Sequence, residues 1–128
     1  MDSTMQGKNN LSLAAPIYAP DMADFMQDSY VIIDIRDESD YNYAHIKDSK
    51  HFSNAQEVYA FSQKNAQTKI LLVCYSGHTA ANLGTALVQN GCQNIYFFDD
   101  YFAHFELLGL LNTQDSKDST PKQKGLDL

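Results

Sequence analysis

Three short runs of aliphatic and aromatic residues stand out in an otherwise mixed chain: Tyr30-Val-Ile-Ile-Asp-Ile35, Lys69-Ile-Leu-Leu-Val-Cys74 and Asn94-Ile-Tyr-Phe-Phe98. Continuous apolar runs of this length, without polar alternation, predict strands covered on both faces. A weaker run covers Ser49 to Phe52, and Ile17-Tyr18 reads as a brief extended piece. Helical spacing fills the intervals. Pro20 stands where a first helical turn tolerates it, and Met22, Phe25 and Met26 fall at i, i+3 and i+4, predicting a short helix over about residues 20–27. Asn54 is a capping residue for a helix that ends near Asn65, with Val58 and Phe61 on a face that Ala55 and Ser62 extend. His78 to Asn90 places Ala80, Leu83, Gly84, Leu87 and Val88 on one side and stops at Gly91, a natural left-handed helix end. A last helix is expected from about Tyr101 to Leu110, burying Phe102, Phe105 and Leu108.

Buried strands alternating with helices imply an α/β fold, a mainly parallel sheet with helices on both faces, because parallel strands need crossover connections. Both ends lack periodicity. Residues 1–15 read as a polar N-terminal tail, 16–111 as one folded domain and 112–128 as a disordered C-terminal tail. The 128 residues suffice for a single core, and 44% apolar with 20% charged residues suits a globular chain needing no disulfide or metal staple. A net charge of −7 and a single arginine, Arg36, argue against a nucleic-acid partner. No apolar run approaches the ~20 residues of a membrane span, and the start lacks the regions of a signal peptide, so a cytoplasmic protein without a membrane partner is expected. Two cysteines, Cys74 and Cys92, make neither a disulfide framework nor a Cys-x-x-Cys pair, and His45, His51, His78 and His104 lie scattered. No metal site and no cofactor are expected.

In a parallel sheet, ligands sit beyond the carboxyl ends of the strands. One of these ends runs from the buried run Ile70 to Val73 straight into Cys74-Tyr-Ser-Gly-His-Thr79, and a helix begins at once. A cysteine so placed faces several backbone N–H groups that have no intrahelical partner, and these favour the thiolate over the thiol. Gly77 allows the loop to close around the sulfur, and Ser76 and Thr79 add hydroxyl donors. A lone cysteine at the end of an apolar strand also packs well as a core residue, so both readings stand on this evidence. Cys92, between a helix-ending glycine and a strand, reads as packing.

The chain resembles the rhodanese family of sulfurtransferases, and its small single-domain bacterial members in particular. Three features match in order: Val31-Ile-Ile-Asp-Ile-Arg-Asp37 followed by Asp40-Tyr41, then Ala44-His45-Ile46, then the Cys74-x-x-Gly77-x-Thr79 loop opening a helix, with Gly91-Cys-Gln-Asn94-Ile-Tyr96 as the entry to a final strand. The likeness spans roughly residues 17–108 and implies an open, mainly parallel five-stranded sheet. Departures are Ala44 where glycine is common, Lys47-Asp48-Ser49 where Pro-Gly-Ala is common, and Asp99-Asp100-Tyr101 near a usual glycine pair. The last change is expected to reshape or acidify the mouth of the site, and the loop lacks the Arg or Lys of many members.

The resemblance implies transfer of a sulfane sulfur through a persulfide on Cys74, from a small sulfur donor or a persulfidated protein to a thiol or cyanide. The backbone of Tyr75, Ser76, Gly77, His78 and Thr79 would cradle the anionic sulfur. Asp34 and Arg36 match the family's Asp-x-Arg and are expected to fix the loops by an ion pair and hydrogen bonds; His45 is expected to satisfy a backbone group. His78 reads either as a cation attracting donors or as a solvated first-turn residue. A cysteine phosphatase would want arginine six positions after the cysteine, where this chain has Ala80. The rival reading is a partner-dependent sulfur relay or a non-catalytic protein-binding module. The oligomeric state is not encoded in any pattern here.

Overall fold

The computed structural model describes residues 11–113, and the expectations for 1–10 and 114–128 lie outside the described residues. The chain runs β1 (Ala15–Ile17), a 3-10 turn (Ala19–Asp21), α1 (Met22–Phe25), β2 (Tyr30–Asp34), α2 (Glu38–Tyr43), β3 (Ala44–Ile46), β4 (Lys50–His51), α3 (Ala55–Lys64), β5 (Lys69–Val73), α4 (His78–Gln89), β6 (Ile95–Phe98), α5 (His104–Leu107) and β7 (Leu111–Thr113). Five strands form one sheet in the order β1-β6-β5-β2-β4, every neighbouring pair parallel. The three continuous apolar runs are its central strands, as burial on both faces requires. The outer strands are short: β1 has three residues and β4 only two.

Successive side chains of a strand point to opposite faces, and the core divides accordingly. Ile33, Ile70, Leu72, Cys74 and Phe97 face one layer with Val58 of α3 and Ala80, Ala81 and Leu87 of α4. Ile32, Leu71, Val73 and Phe98 face the other, with Met22 and Phe25 of α1 and Phe105 of α5. Asn54 caps α3 by accepting from the Glu57 N–H at 2.8 Å. Ser62 is buried on that helix because its hydroxyl donates to Asn94 Oδ1 at 2.8 Å. Gly91 ends α4 with φ of 95°, in the left-handed region.

Three elements differ from the pattern. The last helix contracts to the four residues of α5, since Leu107 and Leu108 are exposed and Gly109 turns the chain with φ of 73°. Leu108 therefore lies outside the core that Phe102 and Phe105 enter. Helix α2 was not expected at all, and it buries no residue. A small antiparallel sheet joins β3 to β7, pairing Ala44 with Thr113 and His45 with Asn112. Ordered pairing thus extends two residues into the stretch read as a C-terminal tail, while Ala14 and Ala15, read as N-terminal tail, are a core residue and the start of β1.

Candidate functional site

Cys74 follows the last residue of β5 and points to the α3/α4 face, with only 6% of its surface exposed. The chain then turns through Gly77, which has φ of 95°, and enters the twelve-residue α4. Two backbone N–H groups aim at the sulfur: that of Gly77 donates to Sγ at 3.2 Å and that of Ala80 at 3.3 Å. These belong to the turn and first residues of a helix, where N–H groups lack helical partners and the helix end carries partial positive charge. Two fixed donors at the start of a helix thus converge on this sulfur.

The residues singled out from the sequence surround this loop in different roles. Gly77 supplies one donor to Sγ; Ser76 is half-buried, and His78 and Thr79 are exposed in the first turn of α4. His78 Nε2 lies 3.3 Å from Asn82 Nδ2. Tyr75 is exposed, its hydroxyl donates to the Asp40 carboxylate, and its carbonyl accepts from the Phe102 N–H at 2.8 Å. Ala80 is the third residue of α4, and its N–H is one of the first four that have no partner within the helix.

Gly77 also has no room to be anything else. A Cβ there would stand 2.9 Å from the Phe98 carbonyl oxygen and 3.1 Å from both Cα and Oδ1 of Asp99. Gly77→Ala is therefore expected to cost about 1–3 kcal/mol of stability through backbone strain and to displace the N–H from Sγ. Urea unfolding, with the alkylation rate of Cys74 by iodoacetamide, checks this; a variant matching the parent in both would refute the account of the turn.

Asp34 and Arg36 form a buried ion pair beside the cysteine loop. Asp34 pairs in register with Val73, and the Ile35 N–H donates to the Val73 carbonyl at 3.0 Å. Arg36 Nε donates to both Asp34 oxygens at 3.0 Å, and Nη2 donates to Oδ2 at 2.8 Å and to the Ala44 carbonyl at 2.6 Å. The guanidinium also stacks on Phe102, 3.7 Å from the ring centroid. One side chain thereby ties the end of β2, the start of β3 and the chain after β6. Neighbouring histidines are structural: His45 Nδ1 donates to the Tyr41 carbonyl at 2.9 Å while stacking on its ring, and His51 Nε2 donates to the Arg36 carbonyl at 2.7 Å.

Asp48 stands where Pro-Gly-Ala members place glycine, and it takes φ of 66°, the left-handed conformation that glycine favours. Asp99 is buried against the cysteine loop, as its approach to Gly77 requires. Asp100 Oδ2 accepts from the Ala19 N–H at 2.9 Å, so this carboxylate pins the turn after β1. Cys92 is buried, with Gln63 Nε2 donating to its Sγ at 3.6 Å. Among the described residues no group of His, Cys, Asp and Glu could hold a metal ion, and no helix is long and apolar enough to cross a membrane.

The chain is similar to known proteins in sequence and in fold. A thiosulfate sulfurtransferase GlpE from Pseudoalteromonas translucida is 32% identical over 80 residues, 62% of this chain and 76% of that protein. Another thiosulfate sulfurtransferase GlpE, from Haemophilus influenzae, is 29% identical over 73 residues, 57% of this chain and 70% of that protein. Among solved structures, a rhodanese-like domain from Anabaena superposes with a TM-score of 0.64 at 12% identity, covering 91% of this chain and 92% of that one. A Helicobacter pylori protein gives 0.63 at 17% identity, covering 86% and 96%. The profile of the Rhodanese-like domain matches residues 19–106, which hold β2, the Asp34–Arg36 pair, the cysteine loop and α4. The chain belongs to the rhodanese-like domain family.

Proposed function

We propose that this protein is a sulfurtransferase that carries sulfane sulfur on Cys74. The observation that supports it is the buried sulfur held by the Gly77 and Ala80 N–H groups at 3.2 and 3.3 Å at the start of α4. The thiolate attacks the outer sulfur of a donor; the donor's S–S bond breaks, the donor keeps the electron pair, and Cys74 becomes a persulfide. A thiolate or cyanide then attacks the outer persulfide sulfur, and the electron pair of that S–S bond returns to Cys74. No external oxidant is needed, and the reacting form of Cys74 is its thiolate. Fixed N–H donors hold whichever sulfur bears the charge. The names of the GlpE relatives support the same reaction class. Incubation with sulfur donors followed by intact mass measurement and peptide mapping tests the proposal. One added sulfur atom on Cys74 is expected; no addition from any donor would favour the non-catalytic, protein-binding reading.

The donor follows from charge. Transfer from thiosulfate leaves sulfite, whose charge a cation near the loop would help hold. Residues 75–79 include no Arg or Lys, and Arg36 is already engaged by Asp34. Thiosulfate, a dianion, is therefore expected to be a poorer donor than a less charged alkyl persulfide, by about tenfold in kcat/KM, with His78→Arg narrowing the gap. Steady-state rates with both donors at two ionic strengths decide this, since salt weakens long-range repulsion but does not replace a missing contact. Equal use of thiosulfate by the parent protein would overturn it.

A further inference from the structure

Cys74 lies on the sheet face covered by α3 and α4, and a cavity of about 180 Å³ opens on that same face beside its loop. Residues 52–55 line it with Ile35, Thr79 and Leu83. Two of these adjoin the cysteine along the backbone network: Ile35 is bonded to the Val73 carbonyl, and Thr79 precedes Ala80, whose N–H holds Sγ. None of the lining side chains carries charge. A second hollow of about 240 Å³ shares Ala55 and Leu83 and lies between α3 and α4 beside Tyr59, Ala86, Leu87 and Asn90, again without a charged lining residue. Carboxylates lie elsewhere: Asp40 accepts from the Tyr75 hydroxyl, Asp99 stands against Gly77, and Asp100 holds the turn after β1.

We propose that this uncharged cavity is the acceptor subsite, and that it takes the apolar stem of a small neutral thiol whose sulfur reaches the Cys74 persulfide past Thr79. The inference rests on the reading of Cys74 as a sulfur carrier. Its occupant is chosen by the lining: apolar walls of Ile35, Phe52 and Leu83 reward buried methylenes, the hydroxyl and amide groups of Ser53, Asn54 and Thr79 suit a neutral polar tail, and no cation is present to hold a carboxylate.

Two measurements test it. With Cys74 loaded, transfer to straight-chain alkanethiols from ethanethiol to hexanethiol is expected to rise about two- to fourfold in kcat/KM per added methylene, as burial of each group requires. Ala55→Phe fills the region common to both hollows at an exposed helix position, and is expected to flatten that series. A parent series that is flat while cyanide is still converted overturns the subsite and leaves the sulfur-carrier reading intact. The second measurement needs no transfer: methyl butyl sulfide, which cannot react, is titrated while the methyl resonances of Ile35, Ala55, Thr79 and Leu83 are followed. Saturable shifts confined to these groups and lost in Ala55→Phe support the subsite, even if no donor loads Cys74. Shifts absent there, or centred elsewhere, overturn it.

Discussion

Replacing Cys74 by serine is expected to abolish both sulfur loading and transfer while leaving the fold intact. Serine keeps the shape and can still accept from the Gly77 and Ala80 N–H groups, so the loop retains its donors. A hydroxyl is not ionised at neutral pH without a base beside it, so the nucleophile is lost. Stability should change by no more than about 1 kcal/mol, because the site is already lined by hydrogen-bond donors. Cys92→Ser gives the contrast. Cys92 is 3% exposed with one long contact from Gln63, so a hydroxyl there costs about 1–2 kcal/mol in burial while transfer continues. Intact mass after donor treatment, steady-state transfer and urea unfolding of both variants provide the check. Activity that survives in Cys74→Ser and disappears in Cys92→Ser would place the chemistry on the wrong cysteine.

The largest effect on stability is expected at Arg36. Arg36→Ala leaves the fully buried Asp34 carboxylate without its fork of donors, uncovers the Ala44 carbonyl and removes the cation from the Phe102 face. Breaking a buried pair from one side costs about 3–5 kcal/mol, a large share of a small domain's stability. Arg36→Lys keeps a charge but offers one compact head in place of a planar fork, and a smaller loss of about 1–2 kcal/mol is expected. Denaturant titration of the two variants reads the difference directly. A loss below about 1 kcal/mol for Arg36→Ala would mean the pair contributes no net anchoring.

The central strands and the two long helices were legible because their signals are local. Ile70 to Val73 is apolar throughout since both faces are covered, and Asn54 and Gly91 mark helix ends by chemistry confined to one turn. The cysteine loop was legible for the same reason, as a strand end, a glycine and a helix start lie within a few residues. What escaped depends on contacts between distant segments. Helix α2 buries nothing, so Glu38 to Tyr43 has no apolar stripe to read. The β3–β7 pair joins three-residue strands far apart in the chain, too short for a periodic pattern. The stacking of Arg36 on Phe102 and the hold of Asp100 on Ala19 bring together residues whose pairing no spacing announces. The helix predicted over about Tyr101 to Leu110 is shorter at both ends, starting at His104 and stopping after Leu107, since apolar Leu108 carries the helical period while facing solvent.

The shortness of the two outer strands bears on how copies of this protein meet. A foreign strand adds to a sheet by pairing with a row of free N–H and C=O groups along an edge. On one side that row is the two residues of β4. On the other it is Ala15-Pro16-Ile17, whose middle residue has no N–H to give. Neither border of the five-stranded sheet therefore offers a long row of free backbone groups on which a further strand could grow.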